Sequence, residues 1–178
     1  MTEEFERSFD EHMLFMAALE GQSDLGRVLI TASYIDDKLG RILEAFLVAK
    51  RAPKALFNGM GAPLGTFSAR TSMAYALSLI DEREFSSINA IRKVRNIFAH
   101  DLTASFDLAS VRSHLDTLAW SVDRNSLGQS GPLIVFSLAS QRIAMQLLNR
   151  VDHVQGQRLA ARDWPHERTD YDPDYDPY

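Results

Sequence analysis

Arg95, Asn96 and His100 lie close together in the stretch Ile91–His100, IRKVRNIFAH, the chain's main concentration of side chains suited to chemistry. A guanidinium is a permanent cation, and an imidazole of ordinary pKa, ~6.5, can serve as both acid and base near neutrality. At ~100° per residue of helix, Ile88, Ile91, Val94 and Phe98 share one apolar arc. Arg92, Asn96 and His100, spaced four apart, form a polar stripe beside it. The same arithmetic puts Arg95 inside the arc, between Ile88 and Ile91. A guanidinium there has to be paired or open onto a cleft, because an unpaired buried charge is costly. The expectation is a largely buried Arg95 paired with Asp36, Asp37 or Glu44. Positions 95 and 100 are ~140° apart on a regular helix. They converge only if the helix ends near Ala99 or a second protomer supplies one of them.

Other constellations are weaker. Asp36-Asp37 could suggest a metal, but adjacent helical residues diverge by ~100° and no Glu-x-x-His follows. No metal or cofactor is expected. The run GMGAPLGT lacks the lysine and spacing of a phosphate loop and reads as a turn-rich break, although Thr66–Ser68 opens a helix whose free N–H groups could receive an anion. His12 and His114 are read as solvated surface residues.

The elements that position these residues are helical throughout. Phe5, Phe9, Met13 and Met16 line one side of a first helix over residues 4–19, which Gly21 ends. Ser23-Asp24 caps a second helix, about Leu25 to Lys50, with the seam Val28, Ala32, Ile35, Leu39, Ile42 and Phe46. Asp36, Asp37, Lys38, Arg41 and Glu44 are assigned to its surface. After the break at 51–66, a helix runs to about Ile80 with Ala69, Met73, Ala76, Leu77 and Ile80 inward, and the polar turn Asp81–Glu84 leads into the central helix. Asp107 is the expected cap of a helix whose seam is Leu108, Val111, Leu115, Leu118 and Val122. The segment from Pro132 is read as a helix through Ile143, Leu147 and Val151, despite the β-branched start of Leu133–Phe136.

The fold class is therefore all-α: a single-domain helical bundle of five or six helices over residues 1–155, followed by an acidic C-terminal tail, 156–178, expected to be disordered. With no cysteine among 178 residues, thiol catalysis, disulfides and zinc-thiolate sites are excluded. The first twelve residues are acidic and have no apolar core, so no secretory signal is expected, and no apolar run approaches the ~20 residues that span a bilayer. No membrane role and a cytoplasmic location are expected. Net charge is −5, of which Glu167–Tyr178 carries −4, leaving a near-neutral body. That lacks the basic excess of a dedicated duplex-DNA binder, so specific duplex DNA is not expected as a partner.

Two resemblances meet here. PLGTFSARTSMAYALSLI at 63–80 followed by IRKVRNIFAH at 91–100 resembles the mannitol operon repressor family over Ser23 to Leu148. It implies an all-α transcriptional regulator; no helix-turn-helix accompanies it, so action would run through protein contacts. Arg95-Asn96, three residues and His100 also resemble the motif of HEPN domains, which include metal-independent ribonucleases cleaving RNA at a dimer interface. That resemblance implies His100 as general base or acid, Arg95 stabilising a phosphorane-like transition state, and Asn96 holding geometry. RNA is the partner in this reading, and a homodimer is expected from the resemblance and from the seams on the second and fifth helices. The alternative for the same residues is structural: Arg95 in an ion pair, and His100 as a helix C-terminal residue favoured by the macrodipole. A non-catalytic nucleotide site is the third.

Overall fold

The computed structural model describes residues 3–49, 55–118 and 131–162. Among them are six helices of ten residues or more and no strand: α1 (Glu3–Leu19), α2 (Asp24–Phe46), α3 (Phe67–Ala76), α4 (Glu82–His100), α5 (Ala109–Leu118) and α6 (Pro132–Gln155). None is long and apolar enough to cross a membrane. Val122 and the tail from 163 onward lie outside the described residues.

Local chemistry sets the helix ends. Gly21, with φ +67°, closes α1, and Ser23 Oγ accepts from the Gly26 N–H at 3.2 Å to open α2. Thr66 Oγ1 does the same for α3 through Ala69 N–H at 3.2 Å. α3 stops at Ala76, four residues before the expected Ile80, because Ser78 turns left-handed with φ 56°. Leu79 N–H then donates to Ala74 O at 2.8 Å and Ser78 N–H to Tyr75 O at 2.9 Å, the paired bonds of a Schellman ending. The inward face of α3 is consequently Thr71 and Ala74, with Met73 and Ala76 outside.

The core runs along α2, which packs against α6, α4, α3 and α1. Its seam is buried as expected, from Val28 to Ile42, with Phe46 partly so. Ile88, Ile91, Val94 and Phe98 of α4 are buried against it, and Val111, Leu115 and Leu118 of α5 join the same core. Because the α2 seam and Val111, Leu115 and Leu118 of the α5 seam are buried within one chain, those residues supply no argument for a dimer. Leu108 stands outside the core, and Asp107 does not cap α5; its carboxylate takes Arg112 Nη2 at 2.5 Å instead.

Two charged residues, Lys38 assigned to the surface and Glu84 to a polar turn by the sequence reading, are inside. Lys38 is 1% exposed, with Nζ 2.6 Å from Glu11 Oε1 of α1 and 5.0 Å from the Tyr34 ring centre. Its aliphatic stem fills space beside the seam while the ammonium reaches a carboxylate. Burial pulls the Lys38 pKa down, opposed by Glu11. Glu84 is 2% exposed and held by Arg150 of α6: Nη2 lies 2.8 Å from Oε1, and Nη1 also reaches Leu79 O at 2.6 Å.

The face of α1 also differs from expectation. Phe9 and Met13 are 54% and 51% exposed, whereas Phe15 and Leu19 are the residues that pack. They form a small separate cluster with Ala144, flanked by Met16, Ile30 and Tyr34, in which Phe15 stacks on Tyr34 at 4.2 Å. His12 is half-buried next to this cluster rather than solvated. Beyond Gly156 the chain crosses the end of α2, where Arg158 Nε donates to Ala45 O at 2.8 Å and Leu159 N–H to Phe46 O at 2.7 Å. These bonds satisfy carbonyls that a helix C-terminus leaves free.

Candidate functional site: the end of α4

α4 is anchored at both ends. At its start, Asp81 and Glu84 form a capping box: Glu84 N–H donates to Asp81 Oδ1 at 2.8 Å and Asp81 N–H to Glu84 Oε2 at 2.9 Å. At its end, Phe98 packs on Phe106, with ring centres 5.1 Å apart, and Phe106 on Phe136 at 5.2 Å. Asp101 stops the helix by accepting Thr103 N–H at 2.8 Å and Thr103 Oγ1 at 2.7 Å. Those two bonds hold the Asp101 carboxyl below the usual carboxylate range, the hydroxyl bond first. The backbone carrying residues 92–100 is thereby fixed.

The expected burial of Arg95 does not occur: the side chain is exposed, and none of Asp36, Asp37 and Glu44 pairs with it. Asp36 is ion-paired with Arg70, whose Nη1 is 3.1 Å from Oδ1; Asp37 pairs with Arg41 at 2.8 Å. Arg95 Nη1 donates instead to its neighbour, Asn96 Oδ1, at 3.1 Å. The wheel sets Arg95 between Ile88 and Ile91, which are buried, whereas Arg95 is exposed. What it omits is that nothing covers α4 there, because α2 and the start of α3 leave a gap.

That gap is an open cleft of about 380 Å³. Arg92, Arg95 and Asn96 line it from α4, Ala32, Ser33 and Asp36 from α2, and Gly65, Thr66, Phe67 and Ser68 from the first turn of α3. Arg92 is braced by Asn89, whose Oδ1 receives Nε and Nη2 at 3.3 Å each; Asn89 in turn donates to Phe85 O at 3.1 Å. Burial raises the Asp36 pKa, against the lowering effect of Arg70 and, more weakly, of Arg95. The cleft therefore presents two guanidiniums without a carboxylate within 4.0 Å among the described residues, facing the positive end of α3. Its chemistry suits an anion such as a phosphate group.

Asn96 joins Arg95 in the cleft, but His100 does not line it. His100 is exposed at the last helical residue, so one chain alone does not assemble the three residues around a common point. The resemblances leave Arg92 without a role, and the sequence reading places it in the polar stripe. Its signal is the spacing to Arg95, since i and i+3 are neighbours on a helix surface. Among the described residues no group of three His, Asp or Glu is placed to hold a metal ion. Comparison with family models, curated proteins and solved structures finds no match for this chain.

Proposed function

We propose that the chain is a HEPN-like, metal-independent ribonuclease whose site is completed by two protomers. One observation carries this: Arg95 is held at the end of a capped helix, exposed in a cleft beside Arg92 and without a carboxylate partner among the described residues. The reading of Arg95 as a structural ion pair loses its partner, and a cation exposed in this way suits a phosphodiester. In the reaction, the base takes the proton of the ribose 2′-hydroxyl and its oxygen attacks phosphorus. The bond to the 5′ oxygen breaks, an acid protonates that leaving oxygen, and a 2′,3′-cyclic phosphate and a 5′-hydroxyl remain. His100 serves as base or acid, Arg95 offsets charge on the phosphorane-like transition state, and Asn96 orients Arg95 through the bond already present. Because His100 lies outside the cleft of its own chain, the partner protomer's copy is the one assigned to it.

The test is cleavage of single-stranded RNA in EDTA, with the 2′-deoxy strand as control. Expected are cyclic-phosphate ends from RNA and no cleavage of DNA. Mixing inactive Arg95→Ala and His100→Ala chains should restore part of the activity, since a mixed dimer contains one intact site. RNA left whole in every arm rejects the reading, and cleavage that mixing never restores rejects the two-protomer site.

A second reading, a mannitol operon repressor-like regulator acting through protein contacts, is favoured by the outward apolar residues Phe9, Met13 and Leu14 of α1. It predicts intact RNA and a protein partner lost when these residues become polar.

A further inference from the structure

The α4 cleft holds one more cation than the proposed reaction uses. Arg92 lines it beside Arg95 and Asn96. The two arginines sit at i and i+3, where Cβ atoms are about 5–6 Å apart, but different asparagines hold their guanidiniums. Arg92 is held toward the preceding turn of α4: Nε and Nη2 donate to Asn89 Oδ1 at 3.3 Å each, and Asn89 Nδ2 is fixed on Phe85 O at 3.1 Å. Arg95 is held from the other side, with Nη1 donating to Asn96 Oδ1 at 3.1 Å. Each guanidinium keeps N–H donors that have no partner among the described residues. The carboxylate on the lining, Asp36, is already ion-paired with Arg70 at 3.1 Å. At about 380 Å³ the cleft falls within the range of small-molecule sites, about 300–1,000 Å³, and has more room than one phosphate group fills.

We propose that the cleft grips two neighbouring phosphates of one single strand of nucleic acid, Arg95 on one and Arg92 on the next. Arg92 is then a binding residue that sets the shortest strand held well, at two phosphodiesters. Two guanidiniums braced separately on one helix face suit two anions joined by a single nucleotide, and each contact is charge-assisted. The assignment of Arg95 to the bond that is cut rests on the proposed ribonuclease. The grip on two phosphates is measured without cleavage.

The probes are 2′-deoxythymidine strands without terminal phosphates, which lack the 2′-hydroxyl and stay whole: the dinucleotide, with one phosphodiester, and the trinucleotide, with two. In amide NMR titrations of the full chain at low salt, the trinucleotide should shift signals of residues 66–68 and 92–96 saturably. It should bind about tenfold tighter than the dinucleotide, the value of one further charge-assisted bond. Arg92→Ala and Arg95→Ala should each reduce that preference to about twofold, the statistical factor for two phosphates, while dinucleotide binding persists and shows that the variants are folded. No saturable shift, a wild-type preference of about twofold or less, or a larger preference that survives Arg92→Ala would overturn the proposal. RNA cut by a chain without the trinucleotide preference would reject the grip and leave the ribonuclease. The full preference in a chain that never cuts RNA would reject the ribonuclease and leave the grip.

Discussion

In its first turn α4 buries Glu84 beneath Arg150, which bonds both the carboxylate and the Leu79 carbonyl, while at its last turns Arg95 and His100 stand exposed with no carboxylate within 4.0 Å among the described residues. Both ends are equally well tied down, one by a capping box and the other by the Phe98–Phe106–Phe136 stack. What differs is the use of charge. The Glu84–Arg150 pair joins α4 to α6 across 66 residues of chain and belongs to the fold. Arg92 and Arg95, two cations on one helix face, repel each other and make no ion pair among the described residues. In the proposed function their placement serves a phosphodiester rather than the fold.

The largest expected effect is at the buried end. Arg150→Met leaves the Glu84 carboxylate buried and unpaired, and should cost about 3 kcal/mol in chemical denaturation. Glu84→Gln combined with Arg150→Met should recover part of that loss, since neither charge then remains. A cost under about 1 kcal/mol for Arg150→Met would erase the distinction between the two ends. Next in size is Ser78, held left-handed just before α4. Ser78→Gly should stabilise by about 0.5–1 kcal/mol, read as a higher denaturation midpoint at unchanged slope.

A smaller, pH-dependent effect belongs to the open end. The raised Asp36 pKa means that the folded state holds this proton more tightly than the unfolded chain does. Wild type should therefore gain stability relative to Asp36→Asn as pH falls from the raised folded pKa to about 3.8, with the gain complete below that value. A difference that moves the other way would show that the Arg70 contact outweighs burial. The smallest effect is at Arg95 itself, where Arg95→Ala should change stability by no more than about 0.5 kcal/mol.

Much of the fold is legible from periodicity. The caps at Ser23 and Thr66, the α2 seam and the inward arc of α4 all follow from residue type and spacing. Misplacements arise where a wheel says which way a residue points but not what stands opposite. Arg95, which the wheel sets in the apolar arc, is exposed and lines the cleft that α2 and α3 leave open. Glu84 shares the arc of Ile88 and Ile91 and is buried because Arg150 comes from a helix 66 positions away. Lys38 is buried by the arrival of Glu11, and α1 seats Phe15 and Leu19 while Phe9 and Met13 face outward. None of these meetings is visible in local spacing. The candidate residues Arg95, Asn96 and His100 were legible as a group, whereas the cleft that takes two of them and omits the third was not.

The most direct test of the central claim, that the end of α4 serves a ligand and its beginning serves the fold, sets stability against RNA cleavage in the same variants. Arg95→Ala and His100→Ala should each melt with the wild type and each lose cleavage of single-stranded RNA in EDTA. Variants that melt early, or that cleave as well as the wild type, would contradict it.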